Sequence, residues 1–203
     1  GLCGVDECGF IHNDILPVLL CCPQTVMYKG GAIYYNLYMQ KEKSYLGLFL
    51  FILAYPITDF FVQYIPNPFV PDANLAMNMI FPVLAGYFYG PLSGALAGLL
   101  GTGLSAVIVP DIYDALAILP HTVMGIAAGF AGKSQLQLFS ALSILIGHAL
   151  NIFFFWRFDL LVIDSPFVLT LGLITETTID VVAIILLIVL LQRRIYRENE
   201  QRW

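Results

Sequence analysis

Residues 78–103 read NMIFPVLAGYFYGPLSGALAGLLGTG, and this stretch decides the fold. It carries no charge and is cut once, at Gly90-Pro91, a pair that turns a chain sharply. Beyond the turn Gly94 and Gly98 follow Gly90 at four-residue spacing, with Gly101 and Ser105 continuing the row. Residues four apart share a helical face, so these positions form a stripe without side-chain bulk, along which two backbones can approach closely. Gly125 and Gly129 repeat the device farther on. Apolar helices that pack through glycine are characteristic of association in lipid, where burying apolar surface gives no drive. The contact is expected within this one chain.

The rest of the chain agrees. Of its 203 residues 59% are hydrophobic and 11% are charged, against roughly 25% charged in a soluble domain. A water-soluble globule is excluded. Most of the charge lies before Tyr45 or after Gln192, and what lies between reads as a membrane domain in the lipid bilayer. A net charge of -5, with a short C-terminal tail as the only basic cluster, argues against nucleic acid as a partner. All four cysteines (Cys3, Cys8, Cys21 and Cys22) fall in the first 22 residues at no standard zinc spacing. Residues 1–38 mix Cys, Gly, Pro and Asn without a period, and Met39 opens a typical bacterial membrane-protein start. The expected organisation is a poorly patterned N-terminal extension, 1–38, native or not, followed by a membrane domain over 39–203.

A bilayer core of about 30 Å needs close to 20 apolar residues per helix. Turn signals divide the chain into six such lengths, at about 45–64, 74–89, 92–109, 112–131, 135–156 and 166–191. The fold class expected is all-α: a polytopic bundle of six transmembrane helices. Lys41 and Lys43 precede the first span, Lys133 joins the fourth to the fifth, and Arg193, Arg194, Arg197 and Arg202 follow the sixth. The opposite loops hold Asp72, Asp111, Asp114, Asp159 and Asp164, with Arg157 the one basic residue among them. Basic residues accumulate on the cytoplasmic side, so both termini are expected to be cytoplasmic, as an even number of spans requires.

Polar groups inside the spans are costly unless paired or facing a cavity, and they are the candidate site. His121 lies near the middle of the fourth span, His148 and Asn151 in the outer half of the fifth, and Glu176 and Asp180 near the middle of the sixth. His148 and Asn151 share a face, as do Thr170, Glu176, Thr177 and Asp180. Any one of these groups alone reads as an interhelical hydrogen bond. Two midplane carboxylates without an intramembrane Lys or Arg read better as the lining of a cavity open to the outer side. Their excess of acceptors favours a cationic or nitrogen-rich solute, a preference that one protonated carboxylate would relax. Two histidines and two carboxylates suit several divalent ions, but no paired ligand motif lies on one helix, so no metal site and no cofactor is expected. Nor does any nucleophile motif appear, and the chain is not expected to be an enzyme. Asn78, with Asn74, offers amides from the loop side. Trp156 belongs with Phe61, Tyr64, Phe69, Tyr113 and Phe158 to an outer aromatic belt, with stacking on a flat ligand as its second role. Asp59, at the outer end of the first span, is expected to reach water.

The pattern Gly86-x-x-x-Gly90-Pro91-x-x-Gly94-x-x-x-Gly98 resembles the glycine-rich join of the second and third spans in the substrate-binding S components of energy-coupling factor (ECF) transporters. Length, span number and cytoplasmic termini fit the same family. The resemblance implies a high-affinity receptor for a vitamin or related micronutrient, with an outer pocket formed by the last three spans and the loop after the first. It also implies a membrane T subunit and two cytoplasmic ATPases as partners. The chain has no phosphate-binding Gly-x-x-x-x-Gly-Lys-Ser/Thr loop, so ATP hydrolysis falls to those partners. Two features depart from the family: the first span offers Ala54 beside Pro56 in place of a four-residue alanine repeat, and Thr102 stands where many members carry an acid. The runner-up is a non-transporting scaffold similar to the rod-shape-determining membrane components, which would have no solute pocket.

Overall fold

The computed structural model describes residues 45–70, 74–134, 136–161 and 165–200, with side chains as far as Arg193. Residues 1–38 with their cysteines lie outside the described residues, as do Lys41, Lys43, Asp72, Asp164 and Arg202, and only the backbone is described at Arg194 and Arg197. Five of the described helices are long and apolar enough to cross a membrane: α1 Tyr45–Val62, α3 Pro91–Ile108, α4 Ile112–Lys133, α5 Gln137–Arg157 and α6, whose apolar part is Pro166–Arg193. The backbone of α6 continues to Glu200. The remaining helix, α2, covers only Met77–Tyr89.

Five of the six expected spans are met at full length, and α2 is shorter than the span expected over 74–89. Its residues reach about 20 Å at 1.5 Å per residue, against a hydrocarbon core of about 30 Å. The missing length is at its start. Asn74 pairs with Pro66 in an isolated antiparallel bridge, and the Leu75 N–H donates to the Ile65 carbonyl at 3.0 Å. An apolar count assigns these residues to a helix, whereas backbone pairing holds them in a loop. The helix tolerates its shortness because protein, not lipid, surrounds it: Ile80, Val83, Leu84, Ala85, Gly86 and Tyr87 are all buried. Met79, Val83, Leu84, Met124, Ile144, Ile184 and Ile188 make the centre of the core around it.

Glycine fixes how the hairpin of α2 and α3 meets α4. A Cβ on Gly94 would overlap the Gly125 carbonyl, one on Gly125 would overlap Gly94, and one on Gly98 would meet the backbone of His121 and Thr122. A Cβ on Gly86 would meet the carbonyl of Gly125 and the amide of Gly129. The contact is within the chain. Gly90 departs from the expected stripe: no atom lies within 4 Å of a Cβ built there. It serves the turn instead, with φ 94 and ψ 175, a conformation essentially confined to glycine. Pro91 then takes the first position of α3, where its missing N–H costs nothing.

Hydrogen bonds tie the two ends of the bundle. At one end Gln137 of α5 donates to Gln192 of α6 at 2.9 Å, and Gln192 donates to the Tyr87 hydroxyl of α2 at 2.8 Å. Lys133 and Arg193 belong to that end by sequence. At the other end α1 meets the start of α2, the end of α3 and the start of α4. There the loop after α1 is shaped by Asn67, whose Oδ1 accepts from the N–H groups of Phe69 and Val70 at 3.0 and 3.1 Å. It leans on α6, since Val70 would collide with a Cβ on Gly172.

Candidate functional site

Three polar clusters occupy the interior, each made by several helices. The outermost centres on Asp59 of α1. Its Oδ1 accepts from the Asn78 side-chain amide and its Oδ2 from the Ser105 hydroxyl, both at 2.5 Å. Asp114, in the first turn of α4, sits beside Asp59 and Ser105. Asp59, expected to reach water, is half-buried and also joins α1 to α2 and α3. Asn78 is buried, and its Oδ1 has no partner.

The second cluster lies about 10 Å deeper along α4, seven residues beyond Asp114. It centres on His121, which is buried and follows Pro120, a residue that removes one rung of the α4 hydrogen-bond ladder. His121 Nδ1 meets the Tyr55 hydroxyl at 2.7 Å and the Thr102 hydroxyl at 2.9 Å. Its Nε2 meets the Asn151 amide nitrogen at 3.3 Å. A ring nitrogen facing an amide N–H is an acceptor, which leaves Nδ1 as the N–H position shared with the two hydroxyls. Both nitrogens of His121 are thereby taken up by α1, α3 and α5. Asn151 keeps its Oδ1 buried and unpartnered.

The third cluster joins α5 to α6. His148, Glu176 and Asp180 each place one ligand atom within 4.8 Å of the others. Asp180 is 0% exposed, and neither of its oxygens has a hydrogen-bond partner. His148 Nε2 also lacks one; it lies 3.6 Å from Asp180 Oδ2, too long for a hydrogen bond. Glu176 Oε1 accepts from the Ala76 N–H at 2.8 Å, which pins the loop before α2 to α6. Among the described residues no Lys or Arg pairs with either carboxylate.

The candidates therefore separate. His121 and Asn151 belong to one cluster, His148, Glu176 and Asp180 to another, and Asn78 to a third. Thr177 faces a cleft of about 350 Å³ between α5 and α6, shared with His148, Thr178, Leu145 and Ile174. Trp156 stands apart near the end of α5, 58% exposed, as a belt residue would be. Sequence reasoning missed Tyr55, Thr102 and Ser105. A signal existed: Tyr55 and Asp59 are four apart on α1, and Thr102 and Ser105 three apart on α3, each pair on one face.

Compared with known proteins, residues 37–197 match the family model described as ECF-type riboflavin transporter, S component, well over half of the chain. No individual curated protein and no solved structure matches.

Proposed function

The chain belongs to the ECF-type riboflavin transporter S components, and on that premise we propose that it is a high-affinity membrane receptor for riboflavin or a closely related flat vitamin. Membership makes it a substrate-binding component of a transporter in the membrane rather than a catalytic protein. The finer reading is that uptake is driven by a membrane T subunit and two ATPases that this chain serves. Both termini are then cytoplasmic, with Lys133 and Arg193 at the inner end and Asp59 and Asp114 at the outer end.

One observation supports the solute reading: buried acceptors without partners stand in all three clusters, on α2, α5 and α6. Asn78 Oδ1, Asn151 Oδ1 and both Asp180 oxygens are such atoms. Leaving them so costs about 1–3 kcal/mol per group, a cost that a donor-bearing solute removes on binding. A flavin ring offers an imide N–H and a ribityl chain with several hydroxyl donors, and its apolar edge suits the aliphatic walls between α5 and α6. Asn151 is the proposed imide contact, with His121 as a positioning residue that holds its amide nitrogen and so turns Oδ1 toward the solute. His148, Glu176 and Asp180 form the polar floor, Thr177 the side wall and Trp156 an outer stacking surface. The scaffold alternative has no use for these unpartnered atoms.

The test is titration of the purified protein with riboflavin, followed by quenching of flavin fluorescence. Saturable one-to-one binding, weakened in Asn151→Ala, is the expected result. Absence of binding to riboflavin and to a panel of other vitamins would sink the receptor reading.

A further inference from the structure

Among the described residues Asp180 is the one carboxylate with both oxygens buried and unpartnered. It sits about 21 Å along α6 from Pro166, in the middle of the span, fully buried with both oxygens unpartnered. A carboxylate in that position is sustained only by a cation or by hydrogen bonds. Among the described residues the only such partner is the His148 imidazole, 3.6 Å from Oδ2 and a cation only when protonated. What faces it is a second unpartnered ligand atom, His148 Nε2, and the Glu176 carboxylate, all within 4.8 Å of one another.

We propose that His148 Nε2, one Glu176 oxygen and one Asp180 oxygen bind a divalent first-row metal ion between α5 and α6. The spacing suits it. Ligand atoms about 2.0–2.2 Å from a tetrahedral ion lie about 3.4 Å apart, and His148 Nε2 and Asp180 Oδ2 are 3.6 Å apart. Charge suits it too: two carboxylates and one neutral imidazole around a dication leave no net charge inside a low-dielectric slab. One nitrogen and two oxygen donors select ions such as Mn²⁺, Co²⁺ or Zn²⁺ over soft ones. The hydrogen bond from the Ala76 N–H orients the Glu176 carboxylate from behind, as outer-shell donors do at metal sites. Three protein ligands leave coordination positions open to water or to a solute oxygen. The cleft beside His148 gives an access route. No one helix carries the motif; one ligand comes from α5 and two from α6, so spacing along the chain does not reveal it.

The ion would occupy the polar floor of the solute site proposed above, one Asp180 oxygen on the metal and the other left for the solute, whichever vitamin that is. The test uses the full chain in detergent, stripped with chelator and without vitamin, titrated with Co²⁺ as the probe. The expected result is one Co²⁺ per chain with ligand-field absorption in the visible and no thiolate charge-transfer band, which sets the site apart from Cys3, Cys8, Cys21 and Cys22. Asp180→Asn and His148→Gln should each weaken binding roughly tenfold or more, whereas Cys-to-Ser replacement of all four cysteines should leave it intact. The proposal is overturned if the wild-type protein takes up no stoichiometric Co²⁺, or if its uptake follows the cysteines. Riboflavin titration of the stripped protein is scored separately, so loss of the ion site and loss of the receptor reading are told apart.

Discussion

Replacing Gly94 by alanine should drive α3 away from α4. The new Cβ would overlap the oxygen and carbon of the Gly125 carbonyl, where 3.4–4 Å is ordinary contact. The obstacle is backbone on a packed helix, so no rotamer change relieves it. The helices must separate by about an ångström or more to restore ordinary contact, which also loosens the approaches at Gly86, Gly98 and Gly129. Overpacking of this kind costs about 1–3 kcal/mol. Gly103 supplies an internal control, since it lies in the same helix with nothing within 4 Å of its Cβ position. Alanine there should stabilise the helix by about 0.5–1 kcal/mol. The two variants thus change the chain identically and differ only in what the methyl group meets. Thermal unfolding in detergent reads the difference: roughly 2–4 °C per kcal/mol for a chain of this size, with Gly94→Ala below the wild type and Gly103→Ala at or above it. Equal melting of the two variants would refute the claim that backbone contact at Gly94 sets the α3–α4 distance.

Gly90→Ala should cost about 1–3 kcal/mol although space is open around it, because its dihedral angles and not its neighbours exclude a side chain; an unchanged melting temperature would contradict this. Asp59→Ala strands the Asn78 amide and the Ser105 hydroxyl, at about 1–3 kcal/mol for each group left buried without a partner, while Asp59→Asn, which keeps one acceptor, should melt between the two. Asn151→Ala should weaken riboflavin binding measured by fluorescence, and His121→Leu should do so as well by releasing Asn151, whereas Trp156→Ala should affect binding less than either, since its ring is largely exposed.

Much of the architecture was legible along the chain. Helix by helix, the expected limits of α1, α3, α4 and α5 and of the apolar part of α6 fall within a few residues of those observed, because an apolar run bounded by proline or glycine is local information, whereas the backbone of α6 runs on to Glu200. The shortness of α2 was not legible. Leu75 and Ala76 are apolar, and nothing in their composition tells that one donates to the Ile65 carbonyl and the other to Glu176. The candidate site divides in the same way. That His121, His148, Asn151, Glu176 and Asp180 are unusual follows from the cost of polar groups in hydrocarbon. Which of them meet does not, since the partners of His121 sit on three other helices.

Sequence alone determined that this chain folds in a membrane as apolar helices, turns at Gly90 and packs through glycine. Each of those features is set by residues within a turn or two of one another, through the solvation of their side chains and the steric freedom of their backbone. Only the tertiary structure decided that Gly94 lies against Gly125, that Asp59 is spent on Asn78 and Ser105, and that His148, Glu176 and Asp180 share one space. Those contacts depend on how far each helix is rotated and shifted against its neighbours. That is fixed by close packing of the whole bundle and not by any single stretch of it.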